Sequence, residues 1–379
     1  MVHRSSPILL LGVAALVAVG VSAPAHGQAK IETTEVNFPS ADGVELQGVL
    51  YKSVKPGPQP CVILLHSPTV ADNKGSATGD WHGLAQTLAG EGFNVLRFDF
   101  RGHGKSDLIK SKAEFWNNPK ITVNARSFPV LFNKKPQPDA FKSTEYIKKN
   151  ATSPYIPMLA NDVMAARVML DVKNDSGDLN TSSTYLIGAG DATIVGMLYL
   201  MAEWDRPQVQ QPGVNIESLP LTQQDLFNLK GKPEWAGKDI AGAIWLSPTK
   251  PTLPQQTILQ AWVKNKPQIR DANKMMFVYG ADDLPAKDAT NYYFNQALIA
   301  DPPKNSGIKL DPIRLTKKVE IKKSKLSGVD LLGKDLGTET EIVKYLKDLE
   351  TDRKNVARVT RNWTVSPYID PVAYRAMHR

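Results

Sequence analysis

Polar and apolar residues alternate in two neighbouring segments near the start of the chain. The alternation covers residues 32–38 and 44–51, and the turn residues Asp42-Gly43 lie between them. A period of two is typical of half-buried strands, and Asp-Gly favours a tight connection between two such strands. The pattern therefore predicts an N-terminal β-hairpin.

In the rest of the chain, short apolar runs alternate with segments in which apolar residues recur at helical spacing. The apolar runs are residues 61–65, 94–98, 185–187, 239–248 and 274–279, with a weaker one at 317–322. Apolar residues recur at helical spacing in residues 81–90, 159–174, 194–203, 286–300 and 340–349. Strands that are apolar on both faces and alternate with helices are typical of a mostly parallel sheet with helices on both faces. The predicted fold class is α/β.

Candidate residues for binding or catalysis follow four of the predicted strands. Because the carboxyl ends of parallel strands meet at one edge of a sheet, where ligands usually bind, these residues are expected to share one pocket. The pocket candidates are His66, Ser67, Asp99, His103, Gly190, Asp191 and Asp283.

Residues 43–107 resemble a known family. The features in question are the Asp-Gly hairpin, a strand ending in His66, a helix with Gly90-x-Gly92-Phe93, and the segment Asp99-x-Arg101-Gly102-His103-Gly104-x-Ser106. They resemble the N-terminal half of the α/β-hydrolases, in the group of serine esterases, lipases and serine aminopeptidases. The resemblance implies the α/β-hydrolase fold, and it implies that His66 and His103 orient backbone beside the oxyanion loop.

The same resemblance locates the positions of a catalytic triad. Gly188-x-Gly190-x-Ala192 corresponds to the nucleophile elbow G-x-S-x-G, which places Gly190 where the serine belongs. Gly280-x-x-Asp283 matches the family's acid, so Asp283 is the implied carboxylate. The nucleophile itself is missing.

The histidine of the triad is missing as well. The chain has six histidines: His3, His26, His66, His82, His103 and His378. None lies between Asp283 and the predicted terminal helix, where the family's catalytic histidine would fall, and only His378 follows the acid. Without a base, a serine hydroxyl is a weak nucleophile at neutral pH.

These absences favour a protein whose serine hydrolase site is degenerate and which acts as a non-catalytic binding or scaffolding module. An active hydrolase of ester or related acyl bonds is the alternative, with Asp191 or Ser67 as nucleophile and His66 or His103 as base. We predict no cofactor. We also predict no metal, although the carboxylates and imidazoles of the pocket are chemically able to bind one.

The N-terminus has the layout of a secretory signal. Arg4 precedes the apolar residues 7–21, and small residues follow at 23–29. We expect export to the periplasm or medium after removal of residues 1–25 or 1–29, with a mature start at His26 or Lys30. An uncleaved membrane anchor is the alternative, but the apolar run is shorter than the roughly 20 residues of a spanning helix, so no stable membrane span is expected after cleavage.

The remaining sequence is predicted to form one hydrolase-like domain, residues 31–350, followed by a C-terminal extension, 351–379. Residues 110–157, which are rich in Lys, Asn and Pro, and residues 207–237 are predicted insertions. The single cysteine, Cys61, opens an apolar strand and is expected to pack as a small core residue.

A positive charge is concentrated near the end of the chain. The formal net charge is +8, and residues 301–379 hold 17 Lys and Arg against 11 Asp and Glu, including Lys317, Lys318, Lys322, Lys323 and Lys325. No aromatic residues interleave these lysines, so a nucleic-acid partner is not expected. A solvated face is the ordinary role of such residues. A small-molecule or envelope ligand is the expected partner, and binding of anionic envelope surfaces through this basic region is a further alternative.

Overall fold

Eight strands form the central sheet of the computed structural model, which describes residues 30–69, 74–118, 133, 135–142, 155–211, 218–299, 316–370 and 373. The order across the sheet is β1-β2-β4-β3-β5-β7-β8-β9. The strands are β1 (Thr33–Pro39), β2 (Glu45–Tyr51), β3 (Pro60–Leu65), β4 (Asn94–Phe98), β5 (Asn180–Ala189), β7 (Ile240–Leu246), β8 (Lys274–Gly280) and β9 (Lys317–Ile321). A small parallel pair, β6 (Ser218–Leu219) and β10 (Tyr368–Ile369), lies outside this sheet.

The predicted hairpin and parallel sheet are confirmed. β1 and β2 pair antiparallel, as do β2 and β4, and every further pair in the sheet is parallel. β3 and β7 are buried along their whole length, which explains why their sequences are continuously apolar rather than alternating.

Helices cover both faces of the sheet, as predicted. They are α1 (Trp81–Glu91), α2 (Tyr155–Met158), α3 (Ala160–Asp175), α4 (Ala192–Glu203), α5 (Gln223–Asn228), α6 (Leu253–Asn265), α7 (Gln268–Asp271), α8 (Leu284–Asn291) and α9 (Thr338–Arg353). Leu88 of α1 and Leu346 of α9 pack on one face with Val62 of β3. Val163 of α3 and Leu198 of α4 pack on the other face with Ile63. Adjacent residues of β3 thus enter two different cores.

The predicted insertions lie partly within the described residues. Residues 113–117 form a π-helical turn that buries Phe115 and Trp116 in the core. Most of 110–157 beyond that turn lies outside the described residues. The 207–237 segment contributes β6 and α5.

The C-terminal segment packs against the rest of the domain. β10 pairs with β6, and the Asn161 side chain bonds both backbone groups of Ile369, at 3.0 Å to its carbonyl oxygen and 2.5 Å from its amide nitrogen. The Trp363 ring is buried, with the Arg206 guanidinium 4.9 Å from the ring centroid. The tail residues up to Asp370 are therefore joined to the core by specific contacts.

Six buried charges connect this tail to the amino-terminal ends of β5 and β7. This six-charge network consists of three arginines and three carboxylates: Arg167, Arg206, Arg361, Asp171, Glu203 and Asp239. Arg167 lies 2.9 Å from Asp171 and 3.0 Å from Asp239, whereas Arg361 reaches Asp239 at 3.0 Å from the tail. Burial raises the pKa of Asp239 against the lowering influence of Arg167 and Arg361. The equal numbers of both signs make burial of the network tolerable.

Within the described residues, no helix combines the length and the hydropathy needed to cross a membrane.

Candidate functional site

The chain turns sharply from β5 into α4 at Gly190. Its φ angle is +55°, in the region that favours glycine, and α4 begins two residues later at Ala192. The Gly190 N–H donates to the carbonyl oxygen of Leu246 at 3.0 Å, and its own carbonyl accepts from Thr249 N–H at 3.3 Å. The predicted strand, turn and helix are therefore present, with the turn held between β5 and the end of β7.

The small residues of this elbow make room for an aromatic ring. A Cβ atom on Gly188 would lie 2.8 Å from Cζ3 of Trp245, and one on Gly196 of α4 would lie 2.2 Å from Cη2 of the same ring. Both distances are below those that real Cβ atoms tolerate. Gly188 thus has a packing role that is independent of any chemistry at position 190.

Next to Gly190, at the nucleophile position, lies the hydroxyl of Ser67. A Cβ atom on Gly190 would lie 3.0 Å from Ser67 Oγ and 3.8 Å from Thr249 Oγ1. Ser67 lies in the loop after β3, so its hydroxyl projects toward the elbow from the neighbouring strand end. Sequence patterns identified both residues but not this close approach, because they are far apart along the chain.

Asp191 does not occupy the elbow position. Its φ angle is −68° and its ψ angle −14°, which is ordinary right-handed helical geometry at the start of α4. Its carboxylate accepts a hydrogen bond from the Thr69 hydroxyl. The backbone geometry of a nucleophile elbow therefore falls on Gly190, and Asp191 lies beside it as a helix-terminal carboxylate.

Asp283 lies where the acid of the family was expected, directly after β8. Its Oδ1 atom accepts from the Ala286 N–H at 3.2 Å and so caps α8, while Oδ2 has no hydrogen-bond partner among the described residues. Only 8 % of Asp283 is exposed. Capping alone explains an aspartate at a helix start, so the unpaired oxygen is what distinguishes this residue.

The loop after β9 contacts the turn after β8 and approaches the residue that precedes the elbow. The Asp282 N–H donates to the carbonyl oxygen of Ser324 at 2.9 Å. A Cβ atom on Gly328, at the end of this loop, would lie 3.8 Å from Cβ of Ala189, the residue before the elbow. The residues at this position are Leu326, Ser327 and Gly328, so the loop contains no imidazole. The prediction of a missing histidine refers to this loop; His378 lies outside the described residues.

His66 and His103 are buried, and the ring nitrogens of both lie close to backbone groups. His66 Nε2 accepts from the Phe100 N–H at 3.1 Å, and Nδ1 lies 3.1 Å from the Ser67 carbonyl oxygen. His103 faces two carbonyl oxygens, of Pro68 at 3.0 Å and of Arg101 at 3.3 Å. Burial holds the pKa of His66 well below its ordinary value, an effect that neighbouring His103 reinforces, and burial also lowers the pKa of His103. Both ring nitrogens of His66 are thus hydrogen-bonded, and those of His103 are directed at backbone carbonyl oxygens rather than at Ser67 Oγ or Asp191.

Asp99 supports the loop after β3. Its Oδ1 accepts from both the N–H and the hydroxyl of Ser76 at 2.7 Å, and Oδ2 accepts from Lys105 N–H at 3.3 Å. These bonds commit the carboxylate to holding two loops together. Among the described residues, no group of three or more His, Cys, Asp or Glu has an arrangement that could hold a metal ion.

The Arg101 side chain points away from the site into a buried ion-pair cluster. It binds Asp162 through Nε at 2.8 Å and Asp42 through Nη1 at 2.5 Å, and all three side chains are fully buried. The Tyr155 hydroxyl donates to the Arg101 carbonyl oxygen at 2.5 Å. Asp42 was predicted only as a turn residue, so its pairing with Arg101 was missed. These buried contacts of Arg101 give the RGHG segment a structural role.

The strand order, the antiparallel hairpin at one side, the elbow after β5 and the acid turn after β8 define an α/β-hydrolase fold. In that fold the elbow residue is Gly190, and among the described residues the loop after β9 has no histidine. The predicted fold is confirmed.

Solved structures with a related chain path include esterases and hydrolases. An esterase of Pyrococcus furiosus is 14% identical over 84% of this chain and 91% of its own, with a TM-score of 0.44. Dienelactone hydrolase of Anabaena variabilis is 13% identical over 85% and 98%, with a TM-score of 0.45. Brefeldin A esterase, a bacterial homologue of human hormone-sensitive lipase, is 12% identical over 89% and 81%, with a TM-score of 0.44. Comparison with protein-family models and with curated proteins gives no match. Because these likenesses are distant, the fold assignment rests on the strand order, and no activity is transferred.

Proposed function

We propose that this chain is a non-catalytic α/β-hydrolase-fold protein that acts as a binding or scaffolding module. The observation that carries the proposal is the elbow itself: the residue with nucleophile geometry is Gly190, and a serine hydroxyl from another loop fills part of the adjoining space. The loop after β9 adds support, since its residues supply no base.

The rival function, a hydrolase with a relocated nucleophile, needs an imidazole next to Ser67 or Asp191. His66 contacts the Ser67 main chain, but through a nitrogen that bonds the carbonyl oxygen. His103 is directed at two further carbonyl oxygens. Nothing in this arrangement favours proton transfer from the Ser67 hydroxyl.

Labelling and turnover distinguish the two functions. The purified chain is incubated with a fluorophosphonate probe and, separately, with p-nitrophenyl acetate and butyrate, beside a serine esterase as positive control. We expect no stoichiometric label and no hydrolysis above that of heat-unfolded protein. Labelling or turnover that Ser67→Ala or Asp191→Asn abolishes would overturn the proposal and identify the nucleophile.

Export is part of the same proposal, supported by the charged, apolar and small-residue pattern of residues 1–29. N-terminal sequencing of protein recovered from an expressing bacterium is expected to begin at His26 or Lys30. Recovery of the chain in the membrane fraction with an intact N-terminus would instead support the anchor.

A further inference from the structure

Three leucines are exposed at the carboxyl edge of the sheet. Leu253 is 78 % exposed, Leu284 69 % and Leu326 36 %. They follow the successive strands β7, β8 and β9 and lie, respectively, at the first residue of α6, the first residue of α8 and in the loop after β9. Single exposed leucines are normal on protein surfaces, but three on consecutive strand ends at one edge of the sheet call for an explanation.

Contacts between the three loops hold together the strand ends that carry these leucines. Lys250, three residues before Leu253, pairs with Asp288 of α8 at 2.8 Å. The Asp282 N–H, two residues before Leu284, bonds the Ser324 carbonyl oxygen at 2.9 Å. The three loops therefore support each other, and the leucines share one edge of the molecule.

Three lysines lie in the same loop as Leu326. Lys322, Lys323 and Lys325 are exposed, and none pairs with a carboxylate of the described residues within 4.0 Å. Their neighbours behave differently, since Lys287 pairs with Glu320 and Lys317 with Glu341. The segment 322–327 has no acidic residue, although the exposed Asp282 lies on the adjacent turn. We call Leu253, Leu284, Leu326 and these three lysines the leucine–lysine rim.

We propose that the leucine–lysine rim docks this protein onto an anionic phospholipid bilayer. Exposed leucines gain free energy in an apolar phase, and unpaired lysines are attracted to lipid phosphates at the same interface. An anionic polymer would use the lysines but offers nothing to the leucines, so the combination favours a bilayer. The site edge of the sheet then faces the membrane. This surface is independent of whether the elbow is catalytic.

Vesicle sedimentation with matched variants tests the proposal. The mature chain is mixed with vesicles of phosphatidylcholine and phosphatidylglycerol at a three-to-one ratio, or of phosphatidylcholine alone. We expect at least tenfold stronger partitioning onto the anionic vesicles, weakening as salt is raised. Leu253→Ser with Leu284→Ser is expected to lower partitioning about tenfold, and a triple Lys→Gln change at 322, 323 and 325 to lower it as much and remove the salt dependence.

The controls change equally exposed residues elsewhere. Phe227→Ser on α5 removes an apolar side chain that is 84 % exposed, and Lys230→Gln with Lys232→Gln removes exposed charge in the same region. Both are expected to leave partitioning within twofold of the parent. Circular dichroism confirms that each variant is folded.

Two outcomes overturn the proposal. One is an absence of binding to anionic vesicles by the folded parent. The other is a leucine variant that partitions like the parent while the lysine variant loses both vesicle and polyphosphate binding, which would indicate a polyanion as the partner.

Discussion

At the elbow, Gly190 supplies the backbone angle and Ser67, from another loop, supplies the nearby hydroxyl. Gly190 has the backbone angle of an elbow residue without its side chain, while Ser67 places a hydroxyl 3.0 Å from where that side chain would begin. The family pattern has serine at the first position and usually glycine at the second, so the hydroxyl has in effect moved from one loop to the other. Restoring the serine alone therefore meets two obstacles.

We predict that Gly190→Ser destabilises the fold. An L-residue in the left-handed region costs about 1–2 kcal/mol, and the new Cβ contacts Ser67 Oγ. Adding Ser67→Gly should relieve this close contact but leave the cost of the left-handed backbone angle. Urea unfolding of the parent, both single variants and the double variant measures the coupling. A Gly190→Ser variant as stable as the parent would contradict this explanation, and none of the four is expected to hydrolyse esters.

Trp245 provides a second prediction at single residues. Gly196→Ala forces a methyl group into the Trp245 ring and should lower the free energy of unfolding by about 1–3 kcal/mol. Gly90→Ala on α1 is the matched control, because its Cβ would meet nothing within 4 Å, and it should be neutral or stabilising by up to about 1 kcal/mol. In thermal unfolding, the Tm of Gly196→Ala is expected to fall below that of the parent, whereas the Tm of Gly90→Ala is expected to be equal or higher. Trp245→Phe added to Gly196→Ala should restore part of the loss.

Among elements, the loops after β3 and β4 are joined by two buried imidazoles. The ring centroids of His66 and His103 are 4.9 Å apart, and each ring bonds backbone of a neighbouring loop. Burial lowers both pKa values. The folded chain therefore favours the neutral form of both rings.

Stability should fall below neutral pH for this reason. The unfolded chain protonates these histidines below about pH 6.5, whereas the folded chain protonates them only at lower pH. Their contribution is thus present above that value and lost as pH falls through the folded pKa values. From pH 7 to 5.5 we therefore expect the free energy of unfolding to fall.

The variant His103→Gln isolates the imidazole contribution in this pH series. Buried Asp162, whose pKa burial raises, contributes a slope of the opposite sign, and this contribution is common to both chains. Urea unfolding at several pH values should show a smaller slope for the variant. Equal slopes in the variant and the parent would count against the assignment.

Elements were predictable where local pattern decides them. β4 is observed over Asn94–Phe98, as predicted, and α3 over Ala160–Asp175 is displaced by one residue from its predicted range. The helix predicted over 286–300 instead begins at Leu284 and changes to a π-helical turn at Tyr292, because Asp283 caps it earlier than the apolar spacing suggested. Tyr293 donates from this turn to the Thr249 carbonyl oxygen at 3.1 Å, a tertiary contact that no local pattern shows.

The site was predictable to a different degree. Motif spacing located Gly190 and Asp283, because strand ends and turn residues are local features. The Ser67 hydroxyl beside Gly190, the carbonyl partners of His103 and the pairing of Asp42 with Arg101 join residues from separate loops. A single sequence does not specify such contacts, since many residues offer the same hydrogen-bonding groups.

At the scale of the whole molecule, Arg361 links the C-terminal tail to the buried six-charge network. It lies in the buried six-charge network, with Asp239 at 3.0 Å, and its removal would leave three carboxylates against two arginines. The tail predicted as an extension therefore contributes to the stability of the sheet that precedes it.

We predict that Arg361→Met destabilises the fold by about 3–5 kcal/mol, the usual effect of removing one partner from a buried ion pair. Arg358→Met is the matched control, because that arginine is exposed and, among the described residues, its side chain bonds only the Asn174 carbonyl oxygen. Its cost should stay below about 1 kcal/mol. Urea unfolding followed by tryptophan fluorescence compares them. Similar losses in the two variants would show that the network does not depend on Arg361.

The same network also constrains when folding can finish during biosynthesis. Asp171 and Asp239 are made more than a hundred residues before Arg361. At about 5–20 residues per second, a ribosome needs on the order of ten seconds to close that interval. Until then, the amino-terminal ends of β5 and β7 lack one of their three cations, so a nascent chain is expected to reach its native core only after synthesis has passed Arg361. A chain that stays incompletely folded for this long is accessible to chaperones and proteases in the meantime.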